Sequence, residues 1–253
     1  MAWFTDFWFS DFYRAAVGKK AVMAITGIIL FGFILIHMVG NLHLYEGSHE
    51  VVVDGQRQMV PYIDEYGTFL RQVGAPAIPP HVALWVARLV LLAAVFLHMW
   101  AAWQVTRMSN DARPSRYEYR QAIHTTYASR TMRWGGVIIL LFVIFHILHF
   151  TTGTVHPDFV KHVEPNGIEV VDVYHNVVTG FQPRYWYVSL FYIVAQVALG
   201  FHLYHGLWSL FQSLGWNHPR FNSWRNGFAH AFAWIVTLGN ISFPVAVLTG
   251  LVR

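Results

Sequence analysis

The sequence predicts an all-α membrane protein, one bundle of five transmembrane helices spanning residues 1–253 as a single domain. Three observations predict it. Charged residues make up 12% of the chain, where a soluble domain carries about 25%. Aromatics reach 17% and the mean hydropathy is +0.40, in keeping with Trp and Tyr gathering at membrane interfaces. Five apolar stretches attain the roughly 20 residues needed to cross a bilayer core: about 21–45, 82–106, 134–155, 184–214 and 228–251.

The N-terminal stretch inverts the order of a cleaved signal peptide. Trp3, Phe4, Phe7, Trp8, Phe9, Phe12 and Tyr13 precede the basic Arg14, Lys19 and Lys20, so residues 3–17 read as an interfacial amphipathic segment. Pro80, Pro157 and Pro183 punctuate three span boundaries, where a residue that breaks helices belongs.

Charge placement gives the direction of each span. The N-terminal segment carries Arg14, Lys19 and Lys20. The 107–133 connection carries Arg107, Arg113, Arg116, Arg120, Arg130 and Arg133, and the 215–227 connection Arg220 and Arg225. The long loops 46–81 and 156–183 instead hold Glu46, Glu50, Asp54, Asp64 and Glu65, then Asp158, Glu164, Glu169 and Asp172. Basic connections alternate with acidic ones, so the N-terminus is expected in the cytoplasm and the C-terminus outside. Within the two long outer loops, 63–73 and 171–181 show helical apolar spacing and are expected to lie along the outer face.

Several chemistries are excluded within this chain. It has no cysteine, hence no disulfide, no cysteine-held iron–sulfur cluster and no CxxCH haem attachment. No GxGxxG or GxxxxGK[ST] loop is present to cradle a nucleotide. A net charge of +4, distributed by topology, does not indicate nucleic-acid binding.

Fifteen histidines are the compositional excess that remains. Seven fall inside the spans: His37, His43, His98, His146, His149, His202 and His205. An ionisable residue inside a span is costly and therefore a functional candidate. At about 1.5 Å per residue, His37 and His146 lie roughly 15 Å below the outer boundary, counted from Gly47 and Pro157. His98 and His202 lie roughly 27 Å below it, counted from Pro80 and Pro183. Four helices thus supply two pairs at two heights, about 12 Å apart. Two bis-histidine haems stacked across a bilayer require this pattern, since neutral imidazole ligates iron and tolerates burial. Gly40, Ala94, Ala101 and Gly206 sit within a turn of three of these histidines and are expected to leave room for a haem. His149 is the alternative to His146, and His205 is a candidate partner for a haem propionate. Histidines outside the spans, His156 among them, read as solvated loop or interface residues.

At Ile34-Leu35-Ile36-His37-Met38-Val39-Gly40-Asn41, Phe96-Leu97-His98, Leu141-Phe142-Val143-Ile144-Phe145-His146 and Phe201-His202-Leu203-Tyr204-His205-Gly206-Leu207-Trp208-Ser209, the chain resembles a known family. It is similar to the single-polypeptide, five-helix dihaem cytochrome b anchors of succinate dehydrogenase and fumarate reductase. The most specific string is His-x-x-x-Gly-Leu-Trp-Ser from His202 onward, and the resemblance covers about 15–251. It implies two b haems: a cytoplasm-proximal one on His98 and His202, and a distal one on His37 and His146. It also implies a flavoprotein and an iron–sulfur subunit docked on the cytoplasmic face of a bacterial-type cytoplasmic membrane. Those partners interconvert succinate and fumarate, as in the tricarboxylic acid cycle. This chain then passes electrons to or from a quinone, menaquinone in the usual two-haem type. Lys19, Lys20, Arg130 and Arg133 are candidates to pair with proximal propionates. Glu46, Asp64 and Glu65 are the carboxylates available as proton carriers for a distal quinone site.

Rival readings fit less well. A bc-type cytochrome b would place two ligands on one helix about 13–14 residues apart, whereas the closest same-helix spacings here are six and three. Anchors of hydrogenases or nitrate reductases differ in their partner subunits. A membrane di-iron oxygenase needs a dense HxxHH-type cluster, and no His-His dipeptide occurs. A proton-coupled transporter would favour carboxylates at span centres and internal repeats, and neither is seen.

Overall fold

In the computed structural model the described residues are 11–53, 55–112, 127–163, 169–216 and 218–253. Residues 3–10 of the expected interfacial segment lie outside them, as do Asp54, Arg113, Arg116, Arg120, His124, Glu164 and the side chain of Arg130. Five helices are long and apolar enough to cross a membrane. They are α1 (Ala16–Asn41), α3 (Val82–Asp111), α4 (Tyr127–His146, continued by a π-helical turn Ile147–Thr151), α6 (Trp186–Ser213) and α7 (Pro219–Leu248). Two shorter helices, α2 (Tyr62–Gln72) and α5 (Val173–Phe181), occupy the long loops close to where helical spacing is read in the sequence.

The chain is not purely helical. The first long loop also holds a hairpin, β1 (Ser48–Val53) with β2 (Gln56–Pro61), and the second a shorter one, β3 (Lys161–Val163) with β4 (Glu169–Val171). The first turns through Gly55 at φ +77°, the left-handed conformation that hairpin loops favour. A Glu50–Arg57 ion pair at 3.1 Å bridges its strands. The fifth helix starts earlier than the span 228–251 and stops sooner. Pro219 sits in its first turn, where a missing N–H costs nothing, and Gly250 at φ +74° lies past its end.

The spine of the bundle is α1, α6 and α7. A Cβ on Gly200 of α6 would collide with Thr237 of α7. One on Gly239 of α7 would come 2.7 Å from Met38 Sδ of α1. Small residues at these crossings bring the backbones together, the means by which helices associate where lipid removes the hydrophobic drive. Ala229, Ala233 and Val236 fill the α6–α7 seam against Leu199, Leu203 and Leu207. α3 packs on α1, and α4 on α6. Among the described residues, α1 with α4 and α3 with α6 make almost no close backbone approach.

Both hairpins, α2, α5 and the C-terminus gather at one end of the bundle. Asp64 of α2 accepts the Tyr174 backbone N–H of α5 at 2.9 Å, and the Tyr174 hydroxyl donates to the Arg253 carbonyl at 3.0 Å. At the opposite end Arg225 is buried, donating to the Trp216 carbonyl at 2.6 Å and to Asn222, with its guanidinium over the Trp208 ring. It thereby ties the α6–α7 turn, a role beyond the loop charge read from the sequence.

Candidate histidine pairs

The structure brings the four candidate histidines together two by two. His98 of α3 faces His202 of α6 with ring centroids 6.3 Å apart at 62°. His37 of α1 faces His146 of α4 with centroids 5.8 Å apart at 81°. Each pair spans one of the two gaps where the helix backbones stay apart. Neutral imidazoles at these separations could hold one metal ion between them.

Two internal rulers measure the separation of the pairs. Thr26 of α1 touches His98, and His37 lies eleven residues further along the same helix, about 16 Å at 1.5 Å per residue. Tyr192 of α6 touches His146, and His202 lies ten residues on, about 15 Å. The two agree, and both exceed the 12 Å read from the sequence, because the loop residues used there as boundaries do not mark one level.

Thr26 fixes the state of His98. Its hydroxyl proton goes to the Val22 carbonyl at 2.7 Å, with Met23 O at 3.2 Å, so at 3.1 Å from His98 Nδ1 it can only accept. With its proton on Nδ1, His98 donates to Thr26 and leaves the Nε2 lone pair free, the state a metal-ligating histidine takes from its second partner. In the same pair, His202 Nδ1 is buried without a hydrogen-bond partner. In the second pair, the Tyr192 hydroxyl lies 3.3 Å from His146 Nδ1 and 3.0 Å from His149 Nδ1. His37 stacks on Phe33 and has a long 3.4 Å contact with Asn41 Nδ2. Thr26 and Tyr192 are absent from the sequence reading. The available signal was the cost of a polar side chain inside a span.

The glycine and alanine expectation is corrected in part. The space beside Gly40 is filled by Tyr66 of α2, whose ring would stand 2.6 Å from a Cβ there. Ala94 and Ala101 are buried. Gly206 does face open space, and Gly27, not singled out before, faces His98 with 3.6 Å to spare for a Cβ.

The remaining candidates are scattered. Lys19 is buried and donates to the Tyr13 and Arg14 carbonyls at 2.7 and 2.8 Å, while Lys20 and Arg133 are exposed. His205 is half-buried one turn past His202. Glu46 pairs with His43 at 2.7 Å and Glu65 lies 3.7 Å from His49, both carboxylates well exposed. Asp64 differs: burial pushes its carboxyl up to about 6, against the pull of the Tyr174 N–H it accepts. His156 is buried rather than solvated. It bonds Asn176 O through Nε2 at 2.8 Å and accepts the Asp158 N–H on Nδ1 at 3.1 Å, and burial lowers its affinity for a proton.

The chain matches no family model, no curated protein and no solved structure. Among the described residues no three His, Asp or Glu converge as a metal-holding group.

Proposed function

We propose that this chain is the membrane anchor and electron-transfer subunit of a succinate:quinone or fumarate:quinone oxidoreductase, with two b haems held by His98/His202 and His37/His146. The observation that carries the reading is the pair of imidazole bridges, at two levels, across gaps between helices that do not otherwise meet. Each pair would hold one haem iron between its two imidazoles, and the gap between the helices would take the macrocycle. Bound haem supplies reversible one-electron chemistry at each level. The chain's own residues do the rest. Thr26 holds His98 in the tautomer that offers Nε2, and Tyr192 holds His146 by its Nδ1.

The choice of succinate and fumarate rests on the resemblance carried by His37, His98, His146 and the string from His202 to Ser209. In this reading the basic end of the bundle is cytoplasmic and receives the iron–sulfur and flavoprotein subunits, while the hairpin end faces outward. A quinone reacts at the membrane, and Asp64 is favoured over Glu46 and Glu65 as proton carrier. Burial holds its carboxyl up at about 6, where it takes up and releases a proton near neutrality. Lys19, already engaged by two carbonyls, is less suited to a propionate than Lys20 or Arg133.

The test is a pyridine haemochromogen assay with a redox-titrated optical spectrum on the detergent-purified protein. About two b haems per chain, low-spin and titrating separately, support the reading. One haem means that one pair is wrong, and none, with non-haem iron in its place, overturns it. Co-purification of a covalent or tightly bound flavoprotein decides between this family and other dihaem anchors.

A further inference from the structure

The Tyr192 hydroxyl stands between two histidines, at 3.3 Å from His146 Nδ1 and 3.0 Å from His149 Nδ1. A phenol has one proton, so it can donate to only one of them and must accept from the other. If His146 offers Nε2 to iron, its proton sits on Nδ1 and points at the Tyr192 oxygen. Tyr192 must then donate its own proton to His149 Nδ1. That leaves His149 protonated on Nε2. The direction of every bond in the chain His146 → Tyr192 → His149 is fixed by this one condition.

The surroundings keep the arrangement rigid. His149 is 2% exposed and stacks on His156 at 4.9 Å and on Phe145 at 5.4 Å. Both nitrogens of His156 are already engaged, by Asn176 O and the Asp158 N–H, so it cannot take the His149 Nε2 proton. α5 presses onto the pair at Gly180, where a Cβ would come 2.9 Å from His156 Nε2 and 3.1 Å from His149 Cε1. The π-helical turn Ile147–Thr151 carries His149 at this point, a local widening that recurs at functional sites. His149 also lines a cavity of about 360 Å³ with Thr154, Tyr185, Tyr187 and Val188.

We propose that Tyr192 is a positioning residue that fixes His146 and, with His149, forms a directed hydrogen-bond chain setting the potential of the distal haem. This rests on the dihaem reading. An acceptor on Nδ1–H raises the basicity of a ligating imidazole and so favours the oxidised metal. The bond Tyr192 gives to His149 makes its oxygen a better acceptor in turn.

The experiment is a redox titration of both haems in the purified wild type, Tyr192→Phe and His149→Leu, with His146→Ala used to identify the distal signal. Phenylalanine keeps the edge-to-face packing of the ring on Phe142 and Phe181. Tyr192→Phe is expected to keep both haems, raise the distal midpoint and leave the proximal one unmoved. His149→Leu is expected to raise the distal midpoint by less. An unmoved distal midpoint in Tyr192→Phe, or equal movement of both haems, overturns the proposal. If Tyr192→Phe does not fold, His149→Leu decides it: a distal rise supports the chain and an unchanged midpoint refutes it. A wild type without two haems refutes the underlying reading instead, whatever the variants do.

Discussion

Thr26→Val isolates the geometry of the first pair. Valine matches threonine in shape and retains β-branching, so α1 keeps its packing, but His98 Nδ1–H loses its hydroxyl acceptor and keeps only the Met23 carbonyl. Leaving a buried donor unpaired costs about 1–3 kcal/mol, or about 5–150-fold in an equilibrium. Loss of the second partner of a metal-bound histidine costs about 10–100-fold in metal affinity, a range measured independently of the first. His98 is only half-buried in the chain, so water or a neighbouring carbonyl recovers part of the loss. The expected effect lies at the lower end, about 10-fold weaker retention of the proximal haem. The assay is haem transfer from the ferric protein to an excess of apomyoglobin, followed optically, with the proximal midpoint titrated in parallel. The midpoint should rise as the imidazole becomes less basic. Thr26→Ser keeps the hydroxyl and should behave as wild type. Equal retention and an unmoved midpoint in Thr26→Val, or equal impairment in Thr26→Ser, would show that Thr26 does not hold His98.

Three further outcomes are expected. His202→Ala should lose the proximal haem and spare much of the distal one, read as a halved haemochromogen yield; loss of neither removes His202 from the ligand set. Asp64→Asn should stabilise the protein only at higher pH. The Asp64 carboxyl is raised to about 6 from 3.8, so its native environment favours the neutral form. Wild-type stability is then full below the unfolded value and declines as pH rises through about 6. The shift is worth about 3 kcal/mol at most, and about 1–2 after discounting for partial exposure. Thermal melts in detergent at pH 4 should agree between the two proteins and at pH 8 should favour Asn; the same difference at both pH values would contradict the titration argument. Gly200→Ala should lower the melting temperature by forcing α6 from α7 at Thr237, at a cost of about 1–3 kcal/mol, and an unchanged melt would mean that the crossing is looser than it looks.

The spans were legible because burial in lipid demands unbroken apolar runs, and the four histidines because four helices supply them at two matching depths. Their pairing followed from depth alone. What orients them was not legible, because Thr26 lies 72 residues from His98, and Tyr192 46 from His146. No local spacing encodes such contacts. Gly40 misled for a related reason. Its free face is real, but α2 folds back from the loop and spends it on Tyr66. His156 misled because its burial depends on Asn176 of α5, which also clasps Val160 through both side-chain atoms at 2.8 and 2.9 Å. The hairpin that turns through Gly55, by contrast, carried a strong local signal in its Asp-Gly dipeptide that the helical reading of the loop passed over.

The two sites share a construction. α1 contributes a histidine to one pair and the hydroxyl that orients a histidine of the other. α6 does the same in the opposite sense, with His202 in the first pair and Tyr192 at the second. α3 and α4 each bring one histidine and meet the spine from outside, α3 on α1 and α4 on α6. Each outer histidine is thus held by a hydroxyl on the helix its own helix packs against, and faces its partner histidine on the other spine helix. The gap between the imidazoles is then set by α1–α6 packing, not by the outer helices themselves. A change at the α1, α6 and α7 crossings, such as Gly239 against Met38, should therefore disturb both pairs together, whereas a change on α3 or α4 should disturb one. That division of labour lets one spine fix two sites about 15 Å apart at once.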